Sequence, residues 1–164
     1  MKIRVGIVTV SDKGSVGLRV DESGPMIMEC LQEIDHEVIW QGIVPDEMEQ
    51  IEQRLLSLCE SDSVDLILTT GGTGLSPRDV TPEATLHIAE KQVPGIAEAL
   101  RACCAQTVPR AILSRGVSVT RGKTLIVNLP GSPKAVKQNM EILLPVLQHA
   151  IEILKGTASE CASK

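Results

Sequence analysis

The chain has 164 residues, of which 43 % are hydrophobic and 23 % are charged, and it carries a net charge of −5. This length fits one domain, and this composition excludes a disordered, collagen-like or coiled-coil protein. Trp40 is the only aromatic residue and no block of consecutive basic residues occurs, so DNA or RNA binding is disfavoured. No apolar run approaches the ~18 residues of a membrane span, so no membrane interaction is expected.

Apolar runs of strand length alternate with amphipathic helical stretches along the chain. In chain order, the predicted elements are a strand at Ile3–Val10, a helix near Gly24–Ile34, a strand at Glu37–Val44, a helix at Glu47–Glu60, a strand at Leu66–Thr70, a helix from Thr81 to about Glu90, a helix at Ile96–Ala105, strands at Gly116–Thr120 and Thr124–Leu129, and a helix from Pro133 to about Leu144. The alternation predicts an α/β fold with a mostly parallel sheet covered on both faces and right-handed crossovers.

Two details of the pattern extend this prediction. Arg121-Gly122-Lys123 joins the last two strands as a hairpin, and Pro145 kinks the last helix or restarts it before Leu154. The tail from Gly156 is expected to fray. With neither a linker nor an internal repeat, we expect one domain over residues 1–164, with an ordered core at about 3–155.

The charges and cysteines suggest a ligand type and a compartment. Residues 1–65 hold 14 acids and 5 bases, whereas residues 66–164 hold 7 acids and 11 bases, so the C-terminal portion could favour a small anion. The cysteines are odd in number and form no Cys-x-x-Cys pair; they are Cys30, Cys59, Cys103, Cys104 and Cys161. That usage suits a reducing compartment, and the cytoplasm is expected.

Two nucleotide-binding signatures fail on inspection. Gly116 to Gly122-Lys123-Thr124 has five residues between its glycines where a phosphate loop needs four. Gly72-Thr73-Gly74-Leu75-Ser76-Pro77 places proline where a dinucleotide fingerprint needs its third glycine. Neither a phosphate-loop enzyme nor a simple dehydrogenase is predicted.

A glycine-rich loop and two aspartates remain as candidate site residues. The loop Gly71–Gly74 follows a buried strand and either lets backbone amides approach a ligand or forms only a tight turn. Asp79, a few residues on, either holds Mg²⁺ or is an ordinary turn residue. Asp46 either caps the second predicted helix or converges with Asp79 at the same sheet edge as a metal–nucleotide site.

Other polar features have simpler interpretations. Pro130-Gly131-Ser132-Pro133-Lys134 begins a helix that either receives an anion or is only capped by Ser132. The histidines share no ligand spacing, so no zinc site is predicted. Cys103 and Cys104 are expected to pack as small apolar side chains on a helix.

Several segments resemble, in order and spacing, the molybdopterin adenylyltransferase family that includes the MoaB and Mog proteins. The resemblance covers residues 3 to about 155. It rests on Val10-Ser11-Asp12, Asp21-Glu22-Ser23-Gly24-Pro25, Val44-Pro45-Asp46, Thr69-Thr70-Gly71-Gly72-Thr73-Gly74, Arg78-Asp79-Val80-Thr81-Pro82-Glu83-Ala84-Thr85 and Leu129-Pro130-Gly131-Ser132-Pro133.

The resemblance implies a three-layer α/β molybdopterin-binding fold, a homotrimer, and adenylylation of molybdopterin by Mg-ATP with release of pyrophosphate. It assigns Asp46 and Asp79 to catalysis and to Mg²⁺. The other residues that it places at the substrates are Thr70, Gly71, Gly72, Thr73, Gly74, Ser76, Pro130, Gly131 and Ser132, with Asp12, Ser114 and Arg115 added by proximity to these loops. A downstream molybdenum-insertion protein is the implied partner.

Two other functions from different classes compete with the enzyme. A non-catalytic molybdopterin-binding or carrier protein would keep the pocket without turning over ATP. A scaffold role, as in gephyrin, relies on additional domains, whereas one domain is expected here. The retention of both Asp46 and Asp79 favours the enzyme.

Overall fold

The computed structural model describes residues 1–60 and 62–158. In chain order, the elements are β1 (Ile3–Val10), α1 (Asp12–Ser15), α2 (Ser23–Leu31), β2 (His36–Val44), α3 (Met48–Glu60), β3 (Leu66–Thr70), α4 (Thr81–His87), β4 (Lys91–Gln92), α5 (Pro94–Ala105), a 3-10 helix (Pro109–Leu113), β5 (Ser118–Arg121), β6 (Thr124–Leu129) and α6 (Pro133–Lys155). Cys161 and most of the predicted frayed tail lie outside the described residues.

The strands of this part of the chain form one mixed sheet in the order β2-β1-β3-β6-β5-β4. The first four strands in that order are parallel, with β1 paired to both β2 and β3, and β3 paired to β6. β5 and β6 form the predicted antiparallel hairpin, and β4 extends it. The mostly parallel α/β fold is therefore confirmed.

Alternation along the strands produces two apolar layers. Ile3, Val5 and Ile7 of β1 face one core together with apolar side chains of α2, α5 and α6. Val8 and Val10 face a second core with side chains of α3 and α4. Because successive strand residues point to opposite faces, one sheet serves both cores, and the result is the expected three-layer sandwich.

The parallel strands also place the loops that carry the predicted site residues. In a parallel sheet, all strands begin at one edge and end at the other. The segments after β1, β2, β3 and β6 therefore meet at the carboxyl-terminal edge, where Asp12, Asp46, Gly71 and Pro130 follow their strands directly or by one residue.

At the opposite edge, Asp65 precedes β3 and is only 1 % exposed. Its carboxylate accepts hydrogen bonds from the Arg4 side chain, at 3.1 Å from Nε and 2.6 Å from a terminal nitrogen, and lies 2.8 Å from Lys155 Nζ. Burial alone would raise the pKa of Asp65, but these two cations lower it to about 2. This ion cluster joins β1 and β3 to the end of α6.

Some local predictions were wrong. α6 continues through Pro145 without a restart, since Leu144 and Leu147 on either side of the exposed proline are buried and their packing holds the helix. The alternative of a kink at Pro145 stays a prediction. Cys104 is buried as predicted, but Cys103 is exposed. The short α1, the two-residue β4 and the 3-10 helix were not predicted, since elements this short carry no periodic signal.

Two further observations concern membrane spans and the single aromatic residue. No helix among them is both long and apolar enough to cross a lipid bilayer. Trp40, the single aromatic residue, lies on β2 with the guanidinium carbon of Arg54 4.4 Å from the ring centre. This cation–π contact holds α3 against the edge strand.

Candidate active site

Asp12 and Asp46 tie the loops after β1 and β2 together by a reciprocal exchange of hydrogen bonds. The Asp12 amide donates to Asp46 Oδ2 at 2.7 Å, and the Asp46 amide donates to Asp12 Oδ1 at 3.0 Å. The carboxylate of Asp46 thus bonds to the neighbouring loop and not to an amide of the helix that it was alternatively predicted to cap. The exchange fixes where Asp46 stands.

Arg78 binds the carboxylate of Asp12 from the third loop. Its Nε and one terminal nitrogen each donate at 3.0 Å, and that terminal nitrogen also donates to Glu47 at 2.7 Å. The hydrogen bonds from Arg78 lower the pKa of Asp12. Asp12 is therefore ionised and links these loops. Both of its carboxylate oxygens already have hydrogen-bond partners.

Asp46 lies in a different electrostatic environment. Its pKa is raised, first by burial and then by the negative charges of Asp12 and Asp79. Arg78 is close enough to oppose the rise, but within residues 1–60 and 62–158 no ion pair reaches Asp46. A partly buried carboxylate next to other carboxylates is suited to binding a cation.

Asp79 stands at the end of a tight turn. Its Oδ2 accepts a hydrogen bond from the Ser76 amide at 3.0 Å, and its own amide donates to the Ser76 carbonyl at 2.9 Å. Asp79 therefore makes the hydrogen bonds of an ordinary turn residue, as one of its two interpretations predicted. These bonds do not exclude the functional interpretation, because Asp79 also borders both cavities described below.

The glycine loop passes very close to its neighbours. Gly71 has φ +95° and Gly72 has φ +65°, conformations that side chains rarely adopt. A Cβ at Gly71 would collide with the carbonyl oxygen of Val10, and one at Gly72 would collide with the hydroxyl of Thr81 and lie 3.1 Å from Asp46 Oδ1. Glycine at position 71 lets the main chain pass Val10, and glycine at position 72 lets it approach Thr81 and Asp46.

Two cavities open at this edge of the sheet. The larger has a volume of about 670 Å³ and the smaller about 520 Å³. They share four lining residues, Gly72, Asp79, Gly131 and Ser132. The charged lining of the larger cavity is mainly basic and comprises Arg101, Arg110, Lys134 and Asp79. That of the smaller is mainly acidic and comprises Asp21, Glu22, Asp46, Asp79 and Arg19.

The structure brings most of the predicted site residues to these cavities. Besides the shared residues, the larger cavity is lined by Thr73, Gly74, Ser114 and Pro130, and the smaller by Asp46, Thr70 and Gly71. Asp12, Ser76 and Arg115 line neither of these two cavities. They lie next to the site and contact the loops that form it.

Ser132 caps the N-terminus of α6, as the simpler of its two interpretations predicted. Its side-chain oxygen accepts from the Ala135 amide at 3.3 Å and caps α6. Because Ser132, Lys134 and Ala135 also line the larger cavity, the helix still presents its N-terminal end there. The capping and anion-binding interpretations are therefore compatible.

Two buried amides in the larger cavity were missed by the sequence analysis. Asn128 on β6 donates to the hydroxyls of Thr69 and Thr85 at 2.9 and 3.0 Å. Asn139 on α6 donates to the Ala135 carbonyl at 2.8 Å and lies 3.3 Å from Cys104 Sγ. One signal in the sequence could have identified Asn128, which is a polar residue inside the apolar run Leu125-Ile126-Val127-Asn128-Leu129. A polar side chain buried in a strand needs hydrogen-bond partners.

The donor set around Asp46 fits a hard divalent cation. Mg²⁺ prefers carboxylate and phosphate oxygens and keeps several waters, so one or two protein carboxylates suffice. Asp46 and Asp79 both line the smaller cavity and repel each other without a cation between them. The described residues contain no group of three or more His, Cys, Asp or Glu side chains arranged for a metal.

Comparison with known proteins finds a matching family and similar enzymes. Residues 6–149 match the sequence model of a family described as a probable molybdopterin binding domain. A molybdopterin adenylyltransferase from Helicobacter pylori is 38 % identical over 164 aligned residues, which span 99 % of this chain and 93 % of that protein. Another from Escherichia coli K12 is 43 % identical over 141 residues, 85 % of this chain and 72 % of that protein.

Solved structures agree with the sequence comparison. The molybdopterin biosynthesis enzyme MoaB from Thermus thermophilus superposes with a TM-score of 0.89 at 49 % identity. The match covers 94 % of this chain and 97 % of that one.

Proposed function

This chain belongs to the molybdopterin-binding domain family of molybdenum cofactor biosynthesis, and from that membership we propose that it adenylylates molybdopterin with ATP and releases pyrophosphate. The observation that carries the proposal is the pair of cavities with a common wall. A transferase with two anionic substrates needs two binding spaces that meet where the phosphates react. Here they meet at Gly72, Asp79, Gly131 and Ser132, with Asp46 beside them.

The reaction requires orientation more than strong acid–base chemistry. An oxygen of the terminal phosphate of molybdopterin attacks the α-phosphorus of ATP, and the bond from that phosphorus to the bridging oxygen of the β-phosphate breaks. Pyrophosphate leaves with the electron pair of that bond. A phosphate oxygen is already nucleophilic, so the protein must hold two anions in line and offset their repulsion.

The residues at the junction suit these tasks. Gly71 and Gly72 adopt the left-handed backbone that this loop needs where it borders the cavities. Lys134 and the N-terminal end of α6 bring positive potential to the larger cavity. Asp46 and Asp79 would hold Mg²⁺, which supplies charge neutralisation of the triphosphate when bound.

Pyrophosphate release tests the proposal. Purified protein receives molybdopterin, ATP and Mg²⁺ under anaerobic conditions, and pyrophosphate and adenylyl-molybdopterin are measured together. We expect the wild type to form both in equal amounts. Asp79→Asn and Asp46→Asn should each lose about 100-fold or more of the rate, because they remove charge from the cation site.

The matched control is Asp35→Asn, the same chemical change at an exposed residue just before β2, on the opposite edge of the sheet. It should keep wild-type turnover. If the wild type binds molybdopterin but makes no product, the chain is a non-catalytic binding or carrier protein instead, and the aspartates are reduced to structural and ligand contacts.

The assembly proposed for this function is a homotrimer in the cytoplasm that delivers its product to a molybdenum-insertion protein. Light scattering coupled to size-exclusion chromatography checks the first part. A mass near three times 17.6 kDa is expected, and a mass near 17.6 kDa would contradict the trimer.

A further inference from the structure

We propose that Arg115 is a positioning residue that sets where Asp79 stands at the cavity junction, and that it is not a ligand of the substrates. This inference rests on the proposed function, because it assigns a role relative to a catalytic Asp79. Its starting point is the segment between the 3-10 helix and β5, where Arg115 reaches across the site without lining either of the two cavities.

Arg115 contacts both ends of the loop that carries Asp79. Its Nε donates to the Gly74 carbonyl at 2.7 Å, and one terminal nitrogen donates to the Asp79 carbonyl at 2.7 Å. The other terminal nitrogen pairs with Glu83 Oε1 in the first turn of α4. In addition, the Arg115 amide donates to the Thr73 carbonyl at 2.8 Å. One side chain therefore joins the start of the loop, its end and the following helix.

These contacts leave little of Arg115 for a substrate. Three of the five guanidinium N–H groups, one on each nitrogen, already donate to the protein, and the side chain is only 33 % exposed. An arginine that binds phosphate offers its fork of N–H groups to the ligand. The basic side chains that do line the larger cavity are Arg101, Arg110 and Lys134, so these are the ones placed to meet a substrate anion.

The other hydrogen bonds of the loop act at different places. Thr81 closes the base of the loop, because its amide donates to the Gly72 carbonyl and its hydroxyl to the Gly71 carbonyl, but it does not reach residues 74–79. The two hydrogen bonds between Ser76 and Asp79 fix the shape of the turn, but they do not attach the turn to the rest of the site. Arg78 attaches the same loop to Asp12 and Glu47, yet its side chain is 53 % exposed and such contacts are weak in water. Arg115 is the less exposed of these two attachments.

Loss of this attachment should affect turnover more than binding. Without this attachment the turn would open more often and its position would vary, and a displacement of about 1 Å at a reacting centre can cost about 100-fold in rate. Lysine cannot substitute, because one ammonium group cannot bond at once to two carbonyls and a carboxylate held at fixed positions. Arg115→Lys therefore keeps the charge and removes the attachment.

The test combines kinetics with amide hydrogen exchange of the substrate-free protein. We expect Arg115→Lys to lower kcat at least about 10-fold, with the KM for ATP and the Kd for molybdopterin within about 3-fold of wild type. The amides of Ser76 and Asp79, which donate hydrogen bonds within the turn, should exchange at least about 10-fold faster, while those of β1 and β3 stay unchanged.

Two further variants make the result specific. Arg121→Lys is the matched control, because Arg121 also donates to a main-chain carbonyl, that of Ile88, but lines neither cavity. It should leave kcat and loop exchange unchanged. Glu83→Gln keeps the arginine and weakens its anchor, so it should change both readouts in the same direction by a smaller factor, which covers the case in which Arg115→Lys fails to fold.

The opposite pattern would overturn the inference. A rise in KM or Kd with kcat and loop exchange unchanged would make Arg115 a substrate ligand. If instead the wild type forms no product, the proposed function fails, while the exchange data still decide whether Arg115 holds the loop.

Discussion

Asp65 and Asp46 lie at opposite edges of the same sheet and have opposite electrostatic environments. Asp65 is buried, its carboxylate is bound by Arg4 and Lys155, and its pKa is lowered to about 2. Asp46 is half-buried, has acidic neighbours, and its pKa is raised. At the amino-terminal edge the fold supplies the cations that a buried carboxylate needs, whereas at the carboxyl-terminal edge it does not.

This difference separates residues that stabilise the fold from residues available for chemistry. A buried carboxylate with its own cations has no capacity left for a ligand. A carboxylate held among others without an ion pair costs folding free energy, and such cost is characteristic of functional sites. The following predictions concern stability, where the two aspartates should behave in opposite ways.

The largest effect is expected for Asp65→Asn. This change leaves Arg4 and Lys155 without their carboxylate and should lower the free energy of unfolding by about 3 kcal/mol. Urea denaturation followed by circular dichroism measures it. Glu37→Gln is the control, since the Lys2–Glu37 pair is more than half exposed on both sides and should be worth less than about 0.5 kcal/mol. Equal losses for the two variants would contradict the comparison.

The second prediction concerns acid. The pKa of Asp65 is about 2 in the folded chain and near 3.8 in the unfolded one, so its contribution is complete above pH ~5 and is lost as the pH falls from about 4 to about 2. The shift corresponds to about 2 kcal/mol. The stability gap between wild type and Asp65→Asn should therefore be smaller at pH 3 than at pH 6. A gap that does not change with pH would argue against the ion cluster.

The smallest effect, with the opposite sign, is expected for Asp46→Asn. Because the raised pKa means that the ionised form is disfavoured in the folded chain, removal of the charge at pH 7 should leave stability unchanged or raise it by about 0.5 kcal/mol. The amide oxygen of asparagine can still accept from the Asp12 amide. Millimolar Mg²⁺ should raise the Tm of wild type but not of this variant.

Asp12→Asn sharpens the same measurement. The pKa of Asp12 is lowered by its hydrogen bonds to Arg78, so loss of this charge should lower the Tm and not raise it. If Asp46→Asn and Asp12→Asn destabilise the chain to the same extent, the two carboxylates are equivalent structural links, and the distinction drawn between them fails.

The sequence predicted those parts of the fold that depend on local patterns. Apolar runs of strand length located β1, β3 and β6, and Ile51, Leu55 and Leu58 on one face located α3. The parallel arrangement followed from alternation of strands and helices. The continuation of α6 through Pro145 could not be predicted, because it depends on which helix face the rest of the chain covers.

The site was predictable to the extent that chain order determines which loops meet. The ends of parallel strands predicted that Asp46 and the glycine loop would meet. The partners of Arg115 and Asn128 could not be predicted, since the Arg115 side chain bonds to residues 32 to 41 positions away and that of Asn128 to residues 43 and 59 positions away. Short spacing motifs carry no information about such long-range contacts.

The wall shared by the two cavities has a consequence for the thermodynamics of binding. Gly72 and Gly131 have no side chain to rotate, the hydroxyl of Ser132 is engaged by the Ala135 amide, and the carboxylate of Asp79 is engaged by the Ser76 amide. These four positions have little rotamer entropy left to lose when substrates arrive. The wall between the two cavities is thus preorganised for ligands, and its shape changes only when the main chain moves.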